Sequence, residues 1–168
     1  TDQIARFSKH GIVLASGQEI LADIIVTATG LQLNVMGDVQ VSRDGQAYAP
    51  SEAVGYKGLM LSDLPNAVMA LGYTNASWTL RADLTAEYVG RLLHHMDQHG
   101  YRIVYPKSDP SVQKRSFMAL TSGYVQRAQA VLPKQGDRAP WMVNQNYLAD
   151  LRMLRRDPLE DGVLCFER

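Results

Sequence analysis

The sequence predicts an α/β fold, and three observations carry that expectation. Val68 to Leu71 is a short apolar run that stops at Gly72 and feeds a long helical pattern, so Leu64 to Thr79 reads as strand, tight turn, helix. Ile24-Ile25-Val26 has no polar face, which is the pattern of a buried strand parallel to its neighbours. After Trp78, residues Leu80, Leu84, Tyr88, Leu92 and Met96 recur every fourth position, with Val89 and Leu93 thickening the stripe, and so predict an amphipathic helix.

The elements follow in order along the chain. Ile4 to Phe7, Gly11 to Leu14 and Glu19 to Leu21 read as strands joined by His-Gly and Ser-Gly turns. That hairpin cannot bury its own apolar side unaided, because isolated two-stranded pieces are marginal in water. Asp44-Gly45, between Val39-Gln40-Val41 and Ala47-Tyr48, predicts a second hairpin. Pro50-Ser51-Glu52 is expected as loop, and Tyr56 to Asp63 as irregular chain. The helix after Trp78 is expected to stop at Gly100, with Arg81, Glu87, Arg91, Asp97 and Gln98 mostly off its apolar stripe. Tyr101 to Tyr105 alternates like a strand, and Pro106 to Pro110 is loop. A helix from Ser116 or Thr121 to Leu132, a last helix from Trp141 through Leu154 and a closing strand at Val163 to Phe166 complete the expectation.

Composition narrows the function classes. A hydrophobic content of 46% and a charged content of 20% are those of ordinary globular proteins. Lys plus Arg equals Asp plus Glu at 17 each, which argues against a broad footprint for nucleic acid or anionic membrane. The longest apolar runs, such as Ala67 to Leu71, fall far short of the ~20 residues that span a bilayer. Cys165 is the only cysteine, so no internal disulfide can form, and a reducing, cytoplasmic setting is the simplest expectation. Thr1-Asp2-Gln3 carries no secretory pattern. His95 and His99 have i, i+4 spacing, but with no third ligand in the pattern no metal is assigned. Arg152, Arg155 and Arg156 read as a solvated face.

At the helix entry, Thr74, Asn75, Ser77 and Thr79 offer side-chain oxygens where unpaired N–H groups and about half a positive charge gather. An anionic ligand atom would sit well there. The stretch Gly72-Tyr73-Thr74-Asn75-Ala76-Ser77-Trp78-Thr79, followed by Ala82-Asp83-Leu84, resembles the C-terminal half of flavin-dependent monooxygenases, in particular Baeyer–Villiger monooxygenases of the ethionamide-activating type. A second anchor, Ala22-Asp23-Ile24-Ile25-Val26-Thr27-Ala28-Thr29-Gly30-Leu31, resembles the strand and Ala-Thr-Gly turn by which those enzymes return from the nicotinamide domain to the flavin domain. Leu31 stands where many relatives carry an aromatic, a departure compatible with the ethionamide-activating type.

The resemblance implies an incomplete two-dinucleotide-binding-domain flavoprotein fold. Residues 1–30 would be the last strands of the NADPH-binding domain, 31–100 the returning half of the FAD-binding domain, and 101–168 a C-terminal extension. It implies FAD and NADPH as cofactors of the full-length enzyme: NADPH reduces FAD, oxygen adds to the reduced flavin, and the peroxide attacks a ketone, sulfide or thioamide. Thr29, Gly30, Thr74, Asn75, Ala76, Ser77 and Trp78 are the implied cofactor-binding residues, the N–H groups of 75–78 facing the flavin's pyrimidine edge. No catalytic residue and no metal ligand is assigned.

The thirteen glycines contain no Gly-x-Gly pair, so neither pyrophosphate fingerprint is present, and the Phe-x-Gly-x-x-x-His run of the broader family is absent too. The expectation is therefore a piece of a longer enzyme, inactive and cofactor-free alone, and self-associating through apolar edges that other domains would cover. The rival from another class is a non-catalytic interaction module derived from the same scaffold. A disulfide-reductase-like flavoprotein fits poorly, because no redox dithiol is present. Gly72, Thr74, Asn75 and Ser77 capping an ordinary βα unit is the reading that needs no ligand at all.

Overall fold

The computed structural model describes residues 2–118 and 120–168, and of Val35 and Asp38 the backbone alone. Thr1 and Ala119, on which the reading of the chain start and of a helix from Ser116 partly fell, lie outside the described residues. The chain divides into two units, residues 1–31 and 32–168.

The first unit is a three-stranded antiparallel sheet in the order β1-β2-β3, with β1 at Ile4–Phe7, β2 at Gly11–Leu14 and β3 at Glu19–Leu21. These are the strands and turns that the small-residue punctuation predicts. The expected buried parallel strand at Ile24-Ile25-Val26 is not formed: the segment belongs to no strand among the described residues, with Ile24 and Val26 each more than four-fifths exposed. A short apolar run becomes a buried strand only where neighbours hydrogen-bond its edges and cover its faces, and this unit supplies neither.

In the second unit β4 (Val41–Arg43) and β5 (Gln46–Tyr48) form the hairpin expected around Asp44-Gly45, both turn residues having positive φ. Pro50–Glu52 is a short 3-10 turn. Where irregular chain was expected, β6 (Gly55–Tyr56) and β7 (Met60–Leu61) form a small hairpin buried throughout. The expected strand at Val68 to Leu71 is instead an extended segment joined to the hairpin by the Met69 N–H, which donates to the Leu59 carbonyl at 2.7 Å. Ala67, Met69 and Leu71 are half-buried while Val68 and Ala70 point out, so one face is covered rather than two.

Helix α1 spans Trp78–His99 and ends at Gly100, whose φ of 68° makes the left-handed stop. The Tyr101 N–H then donates to the Met96 carbonyl at 2.9 Å. Leu84, Tyr88, Leu92 and Met96 are buried as the periodicity requires, but Leu80 and Leu93 are exposed and Arg81 is buried. The chain continues through β8 (Ile103–Pro106), β9 (Arg115–Ser116), α2 (Gly123–Ala128), β10 (Lys134–Gln135), α3 (Tyr147–Arg156) and β11 (Leu164–Glu167). β8 pairs antiparallel with β11, and β9 with β10. α2 is shorter than the expected helix, and α3 begins at Tyr147 rather than Trp141 because Asn146 caps it, accepting from the Ala149 N–H at 3.1 Å. The ladders between described strands are all antiparallel, so the fold is mixed α and β built from small sheets.

One core joins α1, α3, the β6-β7 hairpin and the β8-β11 pair around Tyr56, Leu84, Tyr88, Trp141 and Leu154. Within it the Arg81 guanidinium meets the Asp150 carboxylate, the two side chains 1% and 0% exposed. Arg81 also donates to the Asn144 carbonyl at 3.2 Å and to the Lys57 carbonyl at 2.8 Å. At the surface of the same helix pair Arg155 grips Glu87 through two hydrogen bonds of 2.5 and 2.7 Å. Arg91 donates to the Asp157 carbonyl at 3.0 Å.

Removing one partner of a buried pair strands the other charge, so Asp150→Ala is expected to lower the urea unfolding free energy by about 3–5 kcal/mol. The double replacement Arg81→Met with Asp150→Leu recovers most of that loss. A double variant as unstable as Asp150→Ala would show that the pair itself, and not the stranded charge, carries the stability.

Candidate functional site

The polar turn entering α1 is built outward from the core. Tyr73 is 1% exposed and its hydroxyl donates to Asp150 Oδ2 at 2.8 Å, so the residue just before the turn is pinned to α3. Burial first, then the Asp150 carboxylate that accepts its hydrogen bond, pushes the Tyr73 hydroxyl far above the usual phenol range. Gly72 is required by contact: a Cβ there would lie 2.2 Å from the Trp78 ring. That close approach folds Trp78 back over the turn while leaving it 59% exposed.

From Thr74 to Trp78 the chain is exposed. The Thr74 N–H and its hydroxyl both donate to Gln145 Oε1, each at 2.9 Å, and Asn75 Nδ2 donates to the Gln145 carbonyl at 3.2 Å. Ser77 occupies the cap position of α1, yet its side chain makes no cap bond. It pairs instead with the Thr79 hydroxyl at 2.8 Å. The first turn of a 22-residue helix therefore offers N–H groups that Ser77 does not satisfy, at the end where the helix dipole is positive. Such a cradle binds a carbonyl, an anion or any electron-rich edge.

Of the residues that the resemblance assigns to cofactor, Thr74, Asn75, Ala76, Ser77 and Trp78 form this one turn. Thr29 and Gly30 belong to the first unit, where both are exposed and Gly30 has a φ of 83°. The sequence reading missed Gln145, which holds the turn from outside, and Tyr73, Arg81 and Asp150, which hold it from inside. Their separations of 69 to 77 residues leave no local pattern to find. His95 sits with Glu160, its Nε2 3.1 Å from the carboxylate, and packs against His99, Tyr101 and Phe166.

A second buried charge supports the hairpin under the turn. The Lys57 ammonium is 3.2 Å from Asp161 Oδ2 and lies 5.0 and 5.5 Å from the ring centres of Tyr56 and Tyr88. Tyr56 donates its hydroxyl to the same carboxylate at 2.5 Å. Burial pushes the Tyr88 hydroxyl up to about 12. Burial also works to raise the Asp161 carboxyl, but the Tyr56 hydroxyl, the Lys57 ammonium and the N–H groups of Val163 and Leu164 outweigh it and hold it below its ordinary value of 3.8.

The chain is similar along its whole length to three kinds of curated protein. The FAD-containing monooxygenase EthA of Mycobacterium tuberculosis is 49% identical over 169 residues, covering 100% of this chain and 35% of that protein. The probable FAD-binding monooxygenase AlmA of Acinetobacter baylyi is 46% identical over 170 residues, covering 100% of this chain and 34% of its own. The putative FAD-containing monooxygenase MymA of Mycobacterium tuberculosis is 45% identical over 168 residues, covering 99% and 34%. The chain thus spans about a third of the length of the curated relatives it matches. These relatives bear out the resemblance to flavin-dependent monooxygenases. No family model and no solved structure matches. No helix among the described residues is long and apolar enough to cross a membrane.

Because folding lowers the Asp161 pKa, this carboxylate contributes stability above its unfolded value of 3.8 and loses that contribution as pH falls through its folded value. The urea midpoint of Asp161→Asn is accordingly expected to change less than that of the unmodified chain between about pH 5 and pH 2. Parallel acid profiles for the two would contradict the stabilised carboxylate.

Proposed function

We propose, from the premise that this chain is related end to end to FAD-containing monooxygenases, that it is the C-terminal part of an FAD- and NADPH-dependent monooxygenase. Such an enzyme places one oxygen atom from O2 into a ketone or a soft heteroatom such as a sulfide or thioamide sulfur. The observation that carries this reading is identity of 45 to 49% sustained over the whole chain. Residues 1–30 would then close the NADPH-binding domain, 31–100 return to the FAD-binding domain, and 101–168 extend it. The relatives' names support FAD. NADPH rests on the family resemblance, and a cytoplasmic location on the single cysteine.

The residues at the α1 entry fit one part of FAD, the carbonyl-rich pyrimidine edge of its ring. The donors in the first turn of α1, left uncapped by Ser77, suit acceptors that become more electron-rich on reduction. No Gly-x-Gly turn is present to take a pyrophosphate, so that part of the cofactor would be held by other segments of the enzyme. FAD, reduced by NADPH, supplies the oxygen-transfer chemistry when bound. This chain's own contribution is to orient Thr74, Asn75, Ala76, Ser77 and Trp78 and to stabilise charge at the ring edge. Thr29 and Gly30 would serve as the turn leading back from the nicotinamide side.

The chain by itself would not turn over, and its exposed Leu21, Ile24, Val26 and Leu31 are of the kind that other domains cover. In isolation it is expected to self-associate. A monomer by light scattering at high concentration would count against covered apolar edges.

The decisive experiment uses the full-length gene product. It should purify yellow and oxidise NADPH, and the pair Thr74→Val with Asn75→Ala should weaken FAD binding about tenfold, equivalent to about 1.4 kcal/mol. A colourless, inert full-length protein would overturn the enzymatic reading. Unchanged FAD affinity in the double variant would overturn the placement of the cofactor.

A further inference from the structure

The α1 entry is exposed, and exposed polar turns sample several arrangements unless something fixes them. Here Gln145 does so from the exposed side. Gln145 Oε1 has two acceptor sites, and both are used by Thr74, through its N–H and its hydroxyl at 2.9 Å each. That double contact fixes the Tyr73-Thr74 peptide plane and the Thr74 rotamer together. The Gln145 backbone carbonyl takes Asn75 Nδ2 at 3.2 Å, fixing the next side chain as well. Five residues further on, Asp150 pins Tyr73 from the core side. The segment leading into α3 therefore grips the turn from outside and from inside.

We propose that Gln145 is a positioning residue for the flavin ring, a role that rests on the cofactor placement proposed above. It does not supply the donors that face the ring edge. It orders the residues that do, so that the N–H groups of 75–78 are aimed before the cofactor arrives and lose little freedom when it binds. Gln145 is itself exposed and outside the core, so its removal strands no buried group and leaves the fold intact.

The test compares Gln145→Ala and Gln145→Glu in the full-length, FAD-loaded protein. Gln145→Ala is expected to raise the FAD dissociation constant at least fivefold and to shift the visible flavin spectrum, while the melting temperature of the FAD-free protein stays at the unmodified value. Gln145→Glu keeps an acceptor for both Thr74 donors and restores most of the affinity, but its added negative charge lowers the flavin midpoint potential. The potential shift reports the nearness of the new charge to the ring, and the recovery of affinity by Gln145→Glu is the readout that a merely structural residue would not give. Unmodified affinity and spectrum in Gln145→Ala would overturn the proposal, as would a loss of affinity matched by a fall in the FAD-free melting temperature. If Thr74→Val and Asn75→Ala weaken FAD while Gln145→Ala does not, the positioning role fails and the cofactor placement stands. If all of them are silent, the placement itself is what fails.

Discussion

The buried contact between Arg81 and Asp150 is the constraint on which the larger unit depends. Taking two charges out of water costs several kcal/mol per ion, and the cost is offset only where geometry and further hydrogen bonds are good. The geometry here recruits three other segments: Tyr73 through its hydroxyl, Asn144 and Lys57 through their carbonyls. Arg81 Nε and Asp150 Oδ1 are nevertheless buried without hydrogen-bond partners among the described residues. A network left partly unsatisfied adds little net stability, so its consequence lies in register. It admits one placement of α1 on α3, and hence one placement of the turn between Gly72 and Trp78.

That dependence explains what was legible in the sequence and what was not. Leu84, Tyr88, Leu92 and Met96 announce α1 because helix period and burial coincide, and Gly100 and Asp44-Gly45 announce a stop and a hairpin because positive φ is a local demand. Arg81 reads as a solvent residue because the partner that permits its burial lies 69 residues away. The Val68 to Leu71 run shows the same limit from the other side. Its apolar composition is consistent with two covered faces, but only the neighbours decide how many are covered, and here one is. Ile24 to Val26 is the extreme case, apolar throughout and left without a ladder.

Of the α1 entry, the donor types were visible and their control was not. Threonine, asparagine and serine ahead of an apolar period are a local signature of a helix start. Nothing local says that Ser77 turns to Thr79 instead of capping, or that Gln145 claims Thr74. Both are settled by packing: Trp78 folded against Gly72 sets the approach of the chain, and the Asn146 cap delays α3 until Tyr147, which leaves Gln145 in the loop beside the turn.

The same pair of charges also sets the electrical character of the entry. Arg81 lies in the first turn of α1, where a lone cation would oppose the helix dipole and would draw a fully charged anion such as a phosphate. Asp150 cancels that charge at contact distance, so what remains at the turn is the polarisation of aligned peptide groups. Fixed dipoles without a net charge discriminate weakly between a neutral carbonyl and one that is gaining electron density, yet they stabilise the second more as its charge grows, without reorganising. For the flavin ring proposed at this turn, such dipoles would suit two redox states better than a full positive charge would, because the full charge would favour the anionic state strongly and hold it there.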